Sequence, residues 1–285
     1  MSASTPIDSA STTFRFSELP EDIGRVIFEV VADNGWGPCC ALVSKKIRAC
    51  KSQDFFAAHV KVVILVGFGE VQFPHDTMTS FIEACPGLQT LALWDFVRSR
   101  ETQEFLTSLR LAPSRLSVIG GMFSEDEYHF HHPIFQNVTH LEFFWEDEYD
   151  WSWDSLSQLK RLTHLSLQVD LRFGLPNFVE AVRDVISACP PCLRILVIWV
   201  DANEFFCEGE SAVERLEDID AICRGEADPR AVVAHNLPGL QSEQLIQRHF
   251  EDYLCDWVGT SAPGEDFWAQ AEKIIEGRKH PLTPA

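Results

Sequence analysis

A short apolar pattern returns six times through the middle of the chain at nearly constant spacing, and it limits the fold more than any other feature. Four copies are clear: Leu88-Gln-Thr-Leu91-Ala-Leu93, Val138-Thr-His-Leu141-Glu-Phe143, Leu162-Thr-His-Leu165-Ser-Leu167 and Leu193-Arg-Ile-Leu196-Val-Ile198. Val60-Lys-Val-Val63-Ile-Leu65 precedes them, and Leu116-Ser-Val118 is a weaker copy. The central positions 63, 91, 116, 141, 165 and 196 lie 28, 25, 25, 24 and 31 residues apart. Within each copy apolar residues recur at every second place, the signature of a strand with one buried face. Helix-like segments lie upstream of several copies: Met78 to Cys85, Glu101 to Leu111 and Asn177 to Cys189. In the last of these, Phe178, Val182, Val185 and Ile186 recur at helical spacing. Proline closes two helices, in Ala84-Cys85-Pro86-Gly87 and in Ala188-Cys189-Pro190-Pro191, because it cannot continue the hydrogen-bond ladder.

Strand, loop and helix repeating at roughly 20–29 residues is the period of leucine-rich repeats. The fold class is α/β: an irregular solenoid of parallel strands and helices, each unit burying its apolar face on the next. The loops vary, and the usual Asn or Cys ladder after the strand is absent. Outward strand positions should line up as rows on the concave face. One row is Thr90, Ser117, His140, His164 and Ile195. The next is Ala92, Glu142, Ser166 and Val197, and the third is Trp94, Phe144, Gln168 and Trp199.

The formal net charge is -20, with 23 basic and 43 acidic side chains. Residues 201–285 carry 7 of the basic and 18 of the acidic groups, net -11. A phosphate backbone needs a basic surface, so nucleic-acid binding is excluded as a reading. No apolar run approaches the roughly 20 residues that span a bilayer, and the Ser/Thr-rich start does not read as a secretory signal. A cytoplasmic or nuclear location is expected. Nine cysteines, an odd number at irregular spacing, do not read as a disulfide framework.

Residues 14–59 differ from the array. Phe16-Ser17-Glu18-Leu19-Pro20-Glu21-Asp22-Ile23 opens a helix whose Ile23, Val26, Ile27, Val30 and Val31 share one face. Asn34-Gly35-Trp36-Gly37-Pro38 breaks the chain, and Ala41-Leu42-Val43-Ser44-Lys45-Lys46-Ile47-Arg48 follows as a second helix. These residues resemble the F-box motif in the abbreviated form of fungal F-box-like proteins, a family that places the motif ahead of leucine-rich repeats. The resemblance covers about 40 residues. It implies docking on the Skp-type adaptor of a cullin-RING (SCF-type) ubiquitin ligase, with the repeats presenting a protein substrate. Leu19, Pro20, Ile23, Ile27, Leu42, Val43 and Ile47 would carry the docking or the small core beneath it. Ile47 stands where the family often has tryptophan.

The organisation expected is therefore a disordered tail at 1–13, an F-box-like helical segment at 14–59 and the repeat array at 60–202. An acidic helical cap follows at 203–277 and a second disordered tail at 278–285. The cap should contain helices through Val213–Ile222, Leu245–Trp257 and Phe267–Ile274. Partner recognition is expected at Trp94, His140, Glu142, Phe144, Trp145, Trp151, Trp153, His164, Ser166, Gln168 and Trp199. The stretch 145–154 joins three tryptophans to five acids, a composition that holds Lys or Arg, so a basic substrate is the natural guess. No cofactor is implied. Glu125, His129, His131 and His132 are available metal ligands but read as a polar loop, and Cys189-Pro-Pro-Cys192 reads as structural. There is no Gly-rich phosphate loop and no Gly-x-Ser-x-Gly. A noncatalytic substrate receptor leads. A repeat scaffold without a ligase role is the alternative, and a hydrolase-like enzyme using His140 or His164 is remote.

Overall fold

The structure, a computed structural model, describes residues 57, 60–66, 80–94, 100–123, 130–145, 151–169, 178–200, 219–236, 244–248, 252, 255–257 and 266–279. The chain divides into two compact units, 1–52 and 53–285, and every described residue belongs to the second. The expected adaptor-binding residues Leu19, Pro20, Ile23, Ile27, Leu42, Val43 and Ile47 lie outside the described residues.

Eight strands form one sheet: β1 (Val62–Val66), β2 (Thr90–Trp94), β3 (Arg115–Ile119), β4 (His140–Trp145), β5 (His164–Val169), β6 (Ile195–Val200), β7 (Ala231–His235) and β8 (Leu245–Gln247). They are hydrogen-bonded in chain order, and every pair is parallel. The repeat read from the sequence holds to the residue: Val63, Leu91, Leu116, Leu141, Leu165 and Leu196 are successive register partners. Three helices are described with full bounds: α1 (Arg100–Ser108), α2 (Phe178–Ala188) and α3 (Phe267–Lys279). Shorter 3-10 turns at Pro133–Phe135 and Trp153–Gln158 stand where other repeats have a helix.

The leucine side of the strands is fully buried from Leu91 to Ile198, together with Phe105 and Leu106 of α1 and Val182 and Val185 of α2. A hydroxyl ladder runs along the strand entries. Ser114 Oγ donates to Gln89 O, Thr139 Oγ1 to Ser114 O and Thr163 Oγ1 to Thr139 O, at 3.1, 2.9 and 3.1 Å. The backbone repeats the step, since two successive N–H groups of each repeat share one carbonyl of the previous repeat. This ladder takes the place of the expected Asn or Cys ladder, at the opposite end of the strand.

Three expectations need correction. Ser117 does not belong to the first outward row. Arg115 pairs with Thr90 and His140, and Ser117 sits between Ala92 and Glu142. The Arg115 guanidinium lies over the Trp257 ring at 5.2 Å and donates to Asp256 O. Second, the sheet does not stop at 202, because β7 and β8 extend it through a stretch read as helical. Ile246 pairs with Ala234 as a strand residue instead of riding a helix. Third, the last helix runs past 277. Arg278 donates to the carbonyls of Ala231 and Cys223, each at 2.6 Å, and fastens the helix end to the entry of β7.

Candidate functional site

The second face of the sheet is the one expected to hold a partner, and the chain itself fills it. Ala92, Trp94, Ile195, Val197, Trp199, Val232, Ala234 and Ile246 form one apolar cluster with Trp257, Phe267, Trp268, Ala271 and Ile275 of the C-terminal segment. That segment folds this way because α3 carries Phe267, Trp268, Ala271 and Ile275 along one side, while Glu272, Lys273 and Glu276 stay exposed. Burying a large apolar side chain stabilises by about 1.5–3 kcal/mol. The three large ones, Phe267, Trp268 and Ile275, hold the segment by about 5–9 kcal/mol, comparable to the roughly 5–15 kcal/mol of a whole domain. The segment is thus a second layer of the core.

In the middle of this apolar layer lies a buried ionic network. Glu142, 1% exposed, accepts from Arg248 Nη1 at 2.6 Å on one oxygen. Its other oxygen accepts from Trp257 Nε1 at 2.7 Å and from Ser117 Oγ at 3.1 Å. Ser117 in turn accepts from Trp94 Nε1 at 2.7 Å. Arg248, also 1% exposed, donates through Nε to Asp256 at 2.9 Å and lies 3.8 Å over the Phe267 ring. Asp256 accepts from the Phe267 backbone N–H at 3.4 Å. One carboxylate on β4 thereby ties down the end of β8, the helical residues 255–257 and the start of α3. A buried charge is tolerated only when paired and hydrogen-bonded, and each link here meets that demand.

A second polar group lies at the strand entries. The His140 and His164 rings stack at 4.1 Å and 7°, and the Trp268 ring meets both edge-on at 5.6 and 5.4 Å. Each histidine Nδ1 sits 2.9 or 2.8 Å from a neighbouring threonine hydroxyl, Thr139 or Thr163. The same hydroxyls donate to the ladder carbonyls of Ser114 and Thr139. Glu272 lies 3.5 Å from His164 Nε2 and 3.3 Å from Arg194. Burial, then His164 and Arg115, push the His140 pKa down to about 3. Burial also lowers that of His164, with Glu272 and Asp266 pulling it up and Arg194 pushing it down. The His140 ring is therefore neutral at pH 7. Since its pKa is lower in the folded chain, the unfolded chain binds more protons at this site between about 6.5 and about 3, and stability falls as pH drops through that window. The slope from this one group is about 1.4 kcal/mol per pH unit at most. Urea unfolding at pH 7, 5 and 4 should show it, and His140→Gln should flatten it. An equally steep loss in that variant would assign the acid sensitivity to other groups.

Of the residues expected to meet a partner, Trp94, Glu142, His164, Ser166 and Trp199 are buried under the C-terminal segment, and His140 is half-buried against Trp268. Phe144 packs at the border of the same cluster, and Gln168 is half-exposed. Trp151 is buried among Phe123, Phe130 and Phe143, with rings 4.6–5.5 Å apart. Trp145 and Trp153 stay half-exposed in an edge-to-face pair at 5.4 Å. The structure thus gathers the row residues at one place but turns them inward. Sequence reading missed Arg248, Asp256 and Trp257. An arginine and an aspartate eight residues apart with a tryptophan adjacent give no periodic signal, and only β8 joining the sheet brings them onto Glu142.

Of the available metal ligands read from sequence, Glu125 and His129 lie outside the described residues. His131 is exposed, while His132 is buried and its Nδ1 accepts from Ile134 N–H at 3.3 Å. Among the described residues no three His, Cys, Asp or Glu side chains are grouped to hold a metal. Cys189 and Cys192 are free thiols. Burial raises the Cys189 pKa to about 12, and Cys192 points its S–H at backbone carbonyls of the preceding repeat, including Leu162 O at 3.2 Å. Among the described residues no helix is long and apolar enough to cross a membrane.

No protein-family profile matches the chain, and no curated protein matches it. Among solved structures it is similar to the leucine-rich repeat-containing protein LegL7 from Legionella pneumophila, at 16% identity and a TM-score of 0.39. The match covers 74% of this chain and 78% of that one.

Proposed function

We propose that the chain is a noncatalytic interaction scaffold of the leucine-rich-repeat type. Its finer role, on this reading, is as substrate-recognition subunit of a cullin-RING ubiquitin ligase. The observation that carries the scaffold reading is the sheet itself: eight parallel strands in chain order, with one leucine-type position in register from β1 to β6. Such an array grows by adding near-identical units and offers long outer surfaces to other proteins. The filled second face directs recognition to those outer surfaces. Support for the ligase role comes from sequence: Leu19-Pro20-Glu21-Asp22-Ile23 and the helix around Leu42, Val43 and Ile47 stand immediately ahead of the array.

Calorimetric titration of the purified chain with a Skp-type adaptor tests that role. Saturable binding is expected, and it should disappear in a Leu19→Ala/Pro20→Ala/Ile23→Asp variant whose unfolding transition is unchanged. A folded wild-type chain that does not bind would remove the ligase role and leave the scaffold.

A further inference from the structure

With the second face filled, recognition has to be sought along the outer edges of the array. The loops that enter β3, β4, β5 and β6 form one such edge, and all four are described without a break. Each turns on a buried residue, Leu109, Phe135, Leu159 or Pro190, and the residue after it, Arg110, Gln136, Lys160 or Pro191, is exposed. From the buried residue to the strand, 109–114, 135–139, 159–163 and 190–194, these loops hold four cations, Arg110, Lys160, Arg161 and Arg194, and no Asp or Glu. In a chain with 43 acidic and 23 basic side chains, that balance is the reverse of the composition. We propose that this edge docks an acidic segment of a protein partner, laid extended across the four loops. The proposal rests on the scaffold reading and gives the partner a surface and a chemistry.

Contacts between neighbouring loops hold the cations in line. Thr139 Oγ1 ties the β4 loop to Ser114 O of the β3 loop at 2.9 Å. Arg161 Nη1 donates to Asn137 Oδ1 at 3.1 Å, which leaves the Asn137 amide N–H groups as further donors beside it. Cys192 Sγ lies 3.3 Å from Lys160 O and sets the β6 loop against the β5 loop. Lys160 Nζ donates to Ser157 O at 2.7 Å. Among the described residues Lys160 and Arg161 thus bond neutral oxygens and meet no carboxylate, so their charge is uncompensated. Arg194 shares Glu272 with His164. The pattern ends before β7, where Arg224 pairs with Glu226 and Arg230 with Asp228. Strands lie about 4.8 Å apart, so the edge from β3 to β6 is about 14 Å long, the span of four or five extended residues. Carboxylates at alternate positions of such a segment share one side and recur about every 6.6 Å. Screening over about 8 Å at physiological salt lets a short segment feel this edge despite the net charge of -20. A long nucleic acid or a flat anionic membrane would also face the cap, residues 201–285, with its net charge of -11.

The test uses the full chain near physiological salt and the peptide Gly-Glu-Ser-Glu-Ser-Glu-Gly, capped at both ends and carrying a neutral dye, with Gln or Lys in place of Glu as controls. Fluorescence anisotropy reads affinity, and carbodiimide coupling of peptide carboxylates to lysine amines is mapped by mass spectrometry. The Glu peptide should bind and couple to Lys160, and neither control should bind. Lys160→Gln with Arg161→Gln should weaken binding about 10-fold, the size of two exposed charge pairs. Lys160→Glu with Arg161→Glu should abolish it, and both double variants should keep the wild-type unfolding transition. Arg100→Gln removes an exposed cation at the opposite end of α1 from Arg110 and should leave binding unchanged. No binding of the Glu peptide overturns the proposal. So does coupling at other lysines without Lys160, or equal weakening by Arg100→Gln. Tighter binding of oligothymidylate or phosphatidylserine vesicles than of the peptide, lost in the double variants, would make the edge a phosphate-binding face and overturn the protein assignment. Adaptor titration should be indifferent to the double variants. A chain that binds adaptor but not the Glu peptide therefore keeps the scaffold reading and loses this edge.

Discussion

Glu142→Leu should lower the stability of the chain by about 3–5 kcal/mol, the cost of removing one partner from a buried ion pair. The loss reaches beyond the pair. Arg248 keeps Asp256 but loses the contact at 2.6 Å, and the Trp257 indole N–H loses its acceptor in a site without exposure. An orphaned buried donor costs about 1–3 kcal/mol, so the effect belongs in the upper part of that range. The same reasoning makes a second expectation of opposite sign. Glu142→Leu, Arg248→Met and Asp256→Asn together should recover most of the loss, because buried ionic clusters exchanged for packed apolar groups are often neutral or stabilising. Urea unfolding of the wild type, the single variant and the triple variant measures both. A single-variant cost within about 1 kcal/mol would show that Glu142 does not seat the C-terminal segment.

The strands of the first six repeats were legible because their chemistry is periodic. Leu91 and Leu93 against Thr90 and Ala92 announce a strand with two unlike faces, and register then follows from aligning one leucine per repeat. The last two strands gave no such signal, for a physical reason. Ala231-Val-Val-Ala-His is buried at all five positions, since α3 covers its second face, so no alternation survives. Leu245–Gln247 is only three residues long. The same layer decides what became of the candidate site. The rows of Glu142, His140 and His164 were correctly gathered, but whether a row faces solvent depends on what the distant end of the chain does. The signal available was the apolar side of Phe267, Trp268, Ala271 and Ile275, which needs a surface to rest on. Trp94 and Trp199 look like recognition residues in sequence and serve as that surface.

A chain ending at residue 264 should lose cooperative folding. It lacks Phe267, Trp268, Ala271 and Ile275, and it uncovers Trp94, Ile195, Val197, Trp199, Val232 and Ala234. The three large side chains alone account for about 5–9 kcal/mol of burial. The two Arg278 bonds to Ala231 and Cys223 carbonyls go as well. Against a typical total of about 5–15 kcal/mol, little or nothing remains to hold the tertiary structure. Circular dichroism should keep part of the far-ultraviolet signal and lose the near-ultraviolet tryptophan signal, with increased binding of an apolar dye. The opposite result has a definite meaning. If the shortened chain unfolds in one sharp transition, with a denaturant slope reduced in proportion to the surface removed, the segment is a separable strap. The neighbouring rows that hold Glu142, Ser166 and Val197 and that hold Gln168 and Trp199 would then become an accessible recognition face.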